Sequence, residues 1–388
     1  MPPPYTHFRM IAYEVPTVAR VPGRLLSAWD AGAPCPPVAR VPVPHKDLPH
    51  DALVRLRRLA YVVDLARQQL VQRGGFRLTK DSANTLKVFL VPEFYFRPPL
   101  AACAEFLSDT YSFRARNKIL DALDVMFRHA DFTDWLLACG TVMWNDFVSD
   151  VRPGQTRTPI YFNTAVLVRG GPLGSLHVGD PLGSLHVVEK KVPSNIDGVP
   201  QATFSDGSTA NAGPANDPQL KPFFESWKNR KNQIVDVSGV SVGLEICLDH
   251  ANDPRYRVLR SVVRDWKSQT GQKQRGVQLH ILTAGGMPAD WGSVAARAGG
   301  YLLRNDGLSP PPSQLLRAVT WITRDPLLGK VFLDGPQHHS AYVSERTSTP
   351  PTFAVGIPAG PPCVPTPPGG KFPIGKQQIA FYPAKSLP

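Results

Sequence analysis

Short, nearly unbroken apolar runs restrict the fold of this chain more than any other feature. The run LKVFLVPEFYF at 86–96 is typical of a buried strand, and VSVGLEIC at 240–247 and VQLHILTAGG at 277–286 have the same character. Between such runs, apolar residues recur at spacings of three and four from Leu56 to Leu70 and from Ile119 to Met126, as on one face of a helix. This alternation of strands and helices predicts a layered α/β domain.

Further strands are predicted along the whole chain. They are HFRMIAYEV at 7–15, WLLACGTVMW at 135–144, YFNTAVLVRGG at 161–171, LHVVEKKV at 185–192 and QQIAFYP at 377–383. The segment 233–247 predicts a hairpin that turns near Ser238 and Gly239, and a helix is predicted from Tyr256 to Trp266. The heptapeptide PLGSLHV occurs at 172–178 and again at 181–187, which we interpret as a tandem duplication that lengthens one hairpin.

Proline is concentrated at both ends of the chain. Eleven of the first 50 residues and 11 of the 42 residues from Thr347 to Pro388 are proline. Segments of this composition form little regular structure, so we expect Pro-rich N- and C-terminal extensions around a folded centre.

Composition excludes several classes of protein. With 388 residues and 42% hydrophobic content, the chain can bury a sizeable core. The net charge of +12 comes from short clusters such as RLRR at 55–58, which we interpret as solvated helix faces, and no nucleic-acid-binding motif lies beside them. The apolar run at 135–144 is half the ~20 residues of a membrane span, and no secretory signal is visible. We therefore predict a cytoplasmic protein that binds neither nucleic acid nor membrane.

The five cysteines, at positions 35, 103, 139, 247 and 363, are odd in number and widely scattered. No C-x-x-C pair or nearby histidine pair at metal-ligand spacing accompanies them. This pattern argues against a disulfide framework and a structural zinc site, and we expect neither metal nor cofactor.

Two motif-like stretches are rejected as functional sites. GGKFPIGKQ at 369–377 approaches a phosphate-binding loop, but Gln377 stands where a magnesium-binding hydroxyl is required and no apolar strand leads into it. GVSVG at 239–243 matches the serine-hydrolase elbow, but the sequence after Ser241 continues as a strand instead of turning into a helix.

Three predicted strands end in polar residues that could meet at one sheet edge. Cys247 ends the strand that begins at Val240, Glu93 follows a very apolar strand, and Lys190 and Lys191 end another. A cysteine is mostly protonated at neutral pH, so a reactive one needs a nearby base or cation, which the glutamate and a lysine could supply. Taken alone, Cys247 could equally be an inert core residue.

The chain resembles the carbon–nitrogen hydrolase, or nitrilase, superfamily. VFLVPEFYF resembles its glutamate motif, VVEKKVP its lysine motif and VGLEICLDH its cysteine motif, while ACGTVMW, FNTAVLV and LHILTAGGM resemble supporting strands. The resemblance implies a four-layer αββα sandwich over residues 7–345, followed by a Pro-rich C-terminal segment at 346–388. It also implies self-association as a homodimer or a higher homo-oligomer. The segment 198–222 is expected to form a loop over the site entrance.

The resemblance also implies an activity and residue roles. Glu93 would be the general base and acid, Lys190 the cation that stabilises the tetrahedral intermediate, and Cys247 the nucleophile. The expected substrate is a small amide or N-carbamoyl compound, ahead of a nitrile, without a cofactor. Lys190 is preferred to Lys191 because Pro193 lies three residues after it.

Substrate contacts are expected at Phe94, Tyr95, Trp144 and Leu248, with the backbone N–H after Cys247 as an oxyanion donor. The family's second glutamate has no clear counterpart here, since Glu225 is poorly placed.

Two alternative functions stay open at this point. One is a non-catalytic basic binding protein on the same fold, with the Pro-rich ends as partner contacts. The other is a serine hydrolase centred on Ser241.

Overall fold

The computed structural model describes most of the predicted core of the chain. The described residues are 5–17, 19–21, 24–26, 47–71, 81, 84–98, 110–147, 159–172, 185–192, 203–204, 208–209, 213–214, 232–251, 257–263, 276–290, 292–320, 323–324, 331–332, 340–344, 352–355 and 377–388.

Two helices and twenty-two strands are found in these residues. The helices are α1 (His50–Val71) and α2 (Phe113–Met126), with short 3-10 helices at Ala130–Phe132 and Cys247–His250 and six helical residues at 258–263. The strands of the first half are β1 (His7–Glu14), β2 (Ala19–Val21), β3 (Arg24–Leu26), β4 (Thr85–Val91), β5 (Tyr111–Ser112), β6 (Trp135–Phe147), β7 (Pro159–Arg169), β8 (Leu185–Glu189), β9 (Thr203–Phe204), β10 (Ser208–Thr209) and β11 (Gly213–Pro214). Those of the second half are β12 (Ile234–Val237), β13 (Val240–Ile246), β14 (Val277–Ala284), β15 (Ala296–Asp306), β16 (Ser313–Thr320), β17 (Thr323–Arg324), β18 (Val331–Phe332), β19 (Ser340–Ser344), β20 (Thr352–Ala354), β21 (Gln378–Phe381) and β22 (Lys385–Ser386).

The strands form two main sheets. The first has twelve strands in the described chain, in the order β11-β10-β9-β7-β6-β4-β1-β21-β20, with β22 on β1, β5 on β6 and β8 on β7. The second has six, in the order β12-β13-β14-β15-β16-β19, and two small two-stranded sheets pair β2 with β3 and β17 with β18. In both large sheets the central strands are parallel: β1, β4 and β6 in the first, and β13, β14 and β15 in the second.

Alternating side chains of the strands fill two separate cores. On β4, Val88 and Leu90 belong to the core between the two sheets, whereas Phe89 and Val91 belong to the core under the helices. Full burial of each such side chain contributes roughly 1.5–3 kcal/mol. A strand buried on both faces has few polar positions, which explains the nearly unbroken apolar run.

The helices cover the outer face of the first sheet. The predicted apolar stripe of α1, including Leu56 and Val63, packs in this core together with Ile119 and Leu123 of α2. Ser112 caps α2 by accepting a hydrogen bond from the backbone N–H of Ala115, at 3.2 Å. The architecture is therefore mixed α/β, with a helix layer on one sheet and a second sheet behind it.

The structure confirms most of the predicted elements. The strands β1, β4, β6, β7, β8, β14 and β21 and both helices lie where the sequence predicts them, and the β12-β13 hairpin turns at Ser238 and Gly239, which have positive φ. The predicted helix from Tyr256 to Trp266 is described over 257–263, and residues 258–263 are helical. Most of the duplication, the loop 198–222 and the rejected stretch 369–377 lie outside the described residues.

Two expectations differ from the structure. Strands β20, β21 and β22 belong to the first sheet, so a boundary at residue 345 separates strands of one sheet. The cluster at 55–58 is not a solvated face, because Arg55 and Arg58 are each only 1% exposed. Arg55 donates to the carbonyl oxygen of Tyr95 at 2.6 Å.

No helix in the described part of the chain has the length and apolar character needed to cross a membrane.

Candidate active site

Strand direction brings the predicted residues to one edge of the first sheet. Strand β8 is antiparallel to β7, and β7 is antiparallel to β6, so β8 runs in the same direction as β6 and β4. The carboxyl ends of β4 and β8 therefore lie at the same edge, where Glu93 and Lys190 follow them.

Glu93 and Lys190 form a buried ion pair at this edge. The ammonium nitrogen Nζ of Lys190 lies 2.9 Å from Oε1 of Glu93, and the Asn163 amide donates to the same oxygen at 2.8 Å. The Glu93 residue is fully buried. The ammonium also lies 5.8 Å from the ring centroid of Phe94, within cation–π range. A glutamate and a lysine 97 residues apart along the chain are thus in direct contact.

A bulge in β6 shapes the segment that carries Glu93. The register of β6 against β7 shifts between Ala138 and Thr141, and Gly140 in between has a φ of 74°. A Cβ atom at Gly140 would lie 2.6 Å from the carbonyl oxygen of Pro92, so only glycine allows this approach. Thr141 Oγ1 then accepts the backbone N–H of Phe94 at 2.8 Å. The bulge therefore directs the turn after β4.

Cys247 begins the 3-10 helix that follows β13. Its φ is 46°, a left-handed conformation that non-glycine residues rarely adopt and that is found most often at functional sites. The residue is 4% exposed. Two residues on, the Asp249 carboxylate accepts the backbone N–H of Lys191 at 3.0 Å and that of Val192 at 2.7 Å. The turn of the cysteine is thus tied directly to the turn of the lysine.

The end of β14 connects the cysteine edge to Glu93. Thr283, which pairs with the residue before Cys247, donates from Oγ1 to the carbonyl oxygen of Val91 at 3.1 Å. Next along the same segment, Gly285 lies so close to Glu93 that a Cβ atom there would be 3.0 Å from Oε2. The strand ends that carry the acid, the ammonium and the thiol therefore meet in one region.

The two candidate lysines are distinguished by their contacts. Lys190 places its ammonium on Glu93, whereas Lys191 donates its backbone N–H to Asp249. Burial raises the pKa of Asp249 well above its usual value, and the nearby Lys190 charge opposes this while the charge of Glu245 adds to it. Both lysine segments are therefore organised around buried carboxylates, Lys190 through its ammonium and Lys191 through its backbone N–H.

Of the predicted substrate contacts, Phe94 lies near the ion pair, with its ring centroid 5.8 Å from Nζ of Lys190. Phe94 follows Glu93 with a φ of 62° and packs against Met143 and the partly buried Leu308. Leu248 follows Cys247 and is partly exposed. These two positions stay compatible with contact to a small molecule.

Tyr95 and Trp144 are placed elsewhere, which corrects the expectation that they contact substrate. Both lie in the core under the helices. The Tyr95 hydroxyl donates to the carbonyl oxygen of Arg55 in α1 at 3.0 Å. Trp144 stacks on Phe162 at a centroid distance of 4.1 Å and donates to Thr164 Oγ1 at 2.7 Å. Trp144 lies on β6 and Tyr95 in the segment after β4, and both side chains have their partners in this core.

Asn163 and Asp249 contact the site residues, although the sequence did not single them out. Both stand in stretches quoted for the resemblance, FNTAVLV and VGLEICLDH. An amide in an otherwise apolar strand, or a carboxylate shortly after one, is costly to bury without a partner, and this signal could have identified them.

Ser241 does not have the geometry of a nucleophilic serine. It lies inside β13, where its hydroxyl oxygen accepts the backbone N–H of Gln278 at 3.0 Å. Its own backbone N–H donates to Gln278 Oε1 at 2.9 Å. A residue held within a strand ladder lacks the sharp turn that an elbow requires.

A second buried cluster of titratable groups lies on β13 and β14. Glu245, His250 and His280 are fully buried, and their ligand-type atoms lie within 4.8 Å of one another. Oε2 of Glu245 is 2.9 Å from Nδ1 of His250 and 3.0 Å from Nε2 of His280. Among the described residues this is the one group of histidines, cysteines and acids with spacing suited to a metal ion.

No protein-family model matches the sequence, and no curated protein matches it. Two solved structures of the amidase from Nesterenkonia sp. AN1 are similar to this chain. One is a glutamate-to-glutamine mutant with the acetamide moiety of fluoroacetamide added covalently at its active-site cysteine. It is 14% identical, with coverage of 97% of this chain and 91% of that chain and a TM-score of 0.35.

The other amidase structure is a cysteine-to-alanine mutant in complex with butyramide. It is 16% identical, with coverage of 98% of this chain and 93% of that chain and a TM-score of 0.35. A CN-hydrolase superfamily protein from Xanthomonas campestris, with an arsenic adduct in its active site, is 10% identical, covers 87% of this chain and 90% of that chain, and has a TM-score of 0.33. These structures are amidase and CN-hydrolase superfamily structures, the group that the sequence motifs resemble. Similarity at this level does not assign an activity.

Proposed function

We propose that this chain is a cysteine-dependent hydrolase of non-peptide C–N bonds. The observation that carries the proposal is the buried ion pair between Glu93 and Lys190, at 2.9 Å, beside the strand ends that lead to Cys247. Desolvation offsets much of the attraction in a buried ion pair, so such a pair adds little stability, and we interpret this one as serving chemistry. The substrate is a small amide or N-carbamoyl compound, with a nitrile as a poorer substrate.

The proposed reaction passes through a thioester on Cys247. Glu93 removes the thiol proton, and the sulfur attacks the carbonyl carbon of the substrate. The C–N bond then breaks as Glu93 returns that proton to the leaving nitrogen. A water molecule, deprotonated by Glu93, attacks the thioester and releases the acid product and the thiol.

Lys190 has an electrostatic role in this proposal. The tetrahedral intermediate carries a negative oxygen, which the Lys190 ammonium and the backbone N–H of Leu248 stabilise. Each preorganised donor of this kind is worth ~10²- to 10³-fold in rate. The ion pair with Glu93 supports this role, because it holds the ammonium at the edge where the acid and the cysteine turn meet.

The finer structural expectations belong to the same proposal. They are the fourth layer of an αββα sandwich, a homodimer or higher homo-oligomer, and a cytoplasmic enzyme without a cofactor. Helical residues at 258–263 lie beside the second sheet, with Leu259 in a small core with Val277. A fourth layer requires helices packed against the second sheet, and this contact is one of that kind.

Two alternative functions have less support. Several of the arginines that produce the basic charge are buried, including Arg9, Arg55 and Arg304, so they cannot form a surface for an anionic partner. Ser241 is hydrogen-bonded within its strand.

Substitution of the proposed nucleophile tests the proposal most directly. Cys247→Ala is expected to abolish hydrolysis across a panel of small amides, N-carbamoyl compounds and nitriles, measured as released ammonia or product acid. Cys139→Ala is the matched control: Cys139 is also buried, burial raises the pKa of its thiol, and its place in the core under the helices gives it no role in the reaction. Intact-mass analysis should show an acyl adduct on wild type and Cys139→Ala only. Full activity in Cys247→Ala would refute the proposal.

A further inference from the structure

Two residues of the cluster of Glu245, His250 and His280 flank Cys247 along the chain. Glu245 is two residues before the cysteine on β13, and His250 is the last residue of the 3-10 helix that the cysteine begins. His280 lies on the neighbouring strand β14. The hydrogen bonds of Glu245 therefore link both ends of the cysteine turn to the next strand.

The protons of both histidines can be assigned from their second hydrogen bonds. Nε2 of His250 accepts the backbone N–H of Asp290 at 3.0 Å, and Nδ1 of His280 accepts the backbone N–H of Ala295 at 3.2 Å. A nitrogen that accepts from a backbone N–H carries no proton. Each neutral ring must therefore hold its proton on the nitrogen that faces Glu245.

Glu245 is consequently an acceptor for three donors. Oε2 accepts both imidazole N–H groups, and Oε1 accepts the backbone N–H of Leu259 at 2.5 Å. Burial would raise the pKa of Glu245, but the hydrogen bonds from His250 and His280 outweigh it and lower the pKa, which keeps the group ionised. Burial lowers the pKa of His280, which keeps that ring neutral.

These assignments count against a metal ion in the cluster. A metal would take the lone pair of the nitrogen that faces Glu245 on each ring, so the ring proton would move to the opposite nitrogen. The relocated ring N–H would then face the backbone N–H of Asp290 or of Ala295, donor against donor. The network is complete as a set of hydrogen bonds around one carboxylate.

We propose that Glu245, held by His250 and His280, is a positioning residue that fixes the turn of Cys247 in its left-handed conformation. This proposal deepens the proposed hydrolase function and rests on it for the importance of that turn. A non-glycine residue at a φ of 46° persists only where its surroundings determine the backbone on both sides. The clamp from Glu245 to His250 spans this residue, and Asp249 joins the same turn to the Lys190 segment.

Only a carboxylate at position 245 satisfies all the donors. In Glu245→Gln the amide oxygen can face either the two imidazole N–H groups or the N–H of Leu259, and the NH₂ group then faces the other donors. A change of tautomer in His250 or His280 would move the conflict to the backbone N–H behind that ring. The substitution preserves size and removes one acceptor, so it tests the clamp with little change in volume.

The experiment measures the reactivity of Cys247 towards iodoacetamide in the full chain, by peptide mass spectrometry, as a function of pH. Glu245→Gln is expected to slow labelling at pH 7 by up to ~10²-fold, the effect of misplacing a reacting group by about 1 Å. Its pH profile should move towards that of an ordinary free thiol. For substrate turnover the same variant should lower kcat more than it raises KM.

The control variant is Asp81→Asn. Asp81 pairs with the buried Arg9 at 2.6 Å near the start of β1, at the opposite edge of the first sheet from Glu93. It should lower the melting temperature and leave the labelling profile of Cys247 unchanged. Glu245→Gln could instead lower the melting temperature and leave the labelling profile of Cys247 unchanged. The cluster would then be only structural, and the proposal fails.

A second variant covers the case in which Glu245→Gln does not fold. His250→Asn keeps a donor near the Nδ1 position but loses the acceptor for Asp290, so labelling of Cys247 should slow by a smaller factor. Unchanged labelling in folded His250→Asn would overturn the proposal. Labelling needs no substrate, so failure of wild type to hydrolyse any amide would refute the hydrolase function while the labelling comparison still decides the clamp.

Discussion

Two fully buried carboxylates, Glu93 and Glu245, lie near the same strand ends but are stabilised in different ways. Oε1 of Glu93 accepts hydrogen bonds from the charged ammonium of Lys190 and from the side-chain amide of Asn163. Glu245 accepts only neutral donors, two imidazole N–H groups and one backbone N–H, and uses both oxygens. The first is an ion pair and the second is a closed hydrogen-bond network.

The difference separates a group suited to chemistry from a group suited to holding structure. The donors of Glu245 are fixed in turn by backbone N–H groups behind each ring, so its proton and charge have no alternative arrangement. The main donor to Glu93 is the end of a flexible lysine side chain, which can follow a change of charge on the acid. We therefore expect the ion pair to exchange protons with a substrate and the closed network to keep its protons in place.

The largest expected difference between the two carboxylates is in turnover. Glu93→Gln should reduce kcat by about 10²- to 10⁴-fold, because the amide cannot accept or return the proton. Measured beside Glu245→Gln, whose loss should not exceed ~10²-fold, it ranks the two roles. Labelling of Cys247 by iodoacetamide at pH 7 should also slow in Glu93→Gln. Turnover near the wild-type value in this variant would exclude Glu93 as the base.

The second prediction concerns the cation of the ion pair. Lys190→Met leaves the buried charge of Glu93 without its ammonium, so the free energy of unfolding should fall by about 3–5 kcal/mol and activity should be lost. Lys191→Met is the matched control, since its backbone N–H to Asp249 is retained. Denaturant unfolding and turnover of both variants measure the difference. Equal effects of the two substitutions would contradict the choice of Lys190.

A double variant sharpens this result. Glu93→Leu combined with Lys190→Met replaces the pair by apolar groups, which should recover much of the stability lost in Lys190→Met. The double variant should remain inactive. Recovery of stability without activity would show that the pair is retained for chemistry.

The smallest expected effect is a dependence of stability on pH through His280 of the Glu245 cluster. Burial lowers the pKa of His280 in the folded state, so unfolding takes up a proton at pH values below its unfolded pKa of about 6.5. Its contribution is therefore present above that pH and is lost as the pH falls towards the folded pKa, by at most about 1.4 kcal/mol per pH unit.

The measurement compares wild type with His280→Gln between pH 7.5 and 5, by chemical denaturation. The difference between the two removes the opposite contribution of Asp249, whose pKa is raised by burial. His186 provides an internal comparison, because burial also lowers its pKa. It lies on β8 of the first sheet, where its ring contacts the carbonyl oxygen of Asn232. Identical pH profiles for wild type and His280→Gln would mean that His280 is not held neutral.

Much of the fold could be predicted from local patterns. The unbroken apolar run at 86–91 and the helical spacing from Leu56 to Leu70 each identify an element, because burial and periodicity are properties of neighbouring residues. The same is true of the hairpin at Ser238 and Gly239, where positive φ is needed. The C-terminal strands of the first sheet were harder, since a proline-rich composition hides their pairing with β1.

The side-chain partners of the site were less predictable. Tyr95 is two residues after Glu93 and Trp144 lies on β6, which pairs with β4, yet both pack in the core under the helices. Arg55 and Arg58 have the composition of a solvated face but are buried: Arg55 donates to the carbonyl oxygen of Tyr95, and both arginines lie close to the Tyr95 side chain. A helix pattern describes one face and says little about what packs against the other.

The sequence by itself determined that Glu93, Lys190 and Cys247 each follow a buried strand, since that is a local matter of apolar runs and the polar residues that end them. Only the tertiary structure decided that Lys190 meets Glu93, because two reversals of direction, from β6 to β7 and from β7 to β8, return the lysine to the edge of the acid. The network of Glu245 likewise joins residues from two strands and a turn. Contacts of this kind depend on the pairing and direction of distant segments, which no local pattern contains.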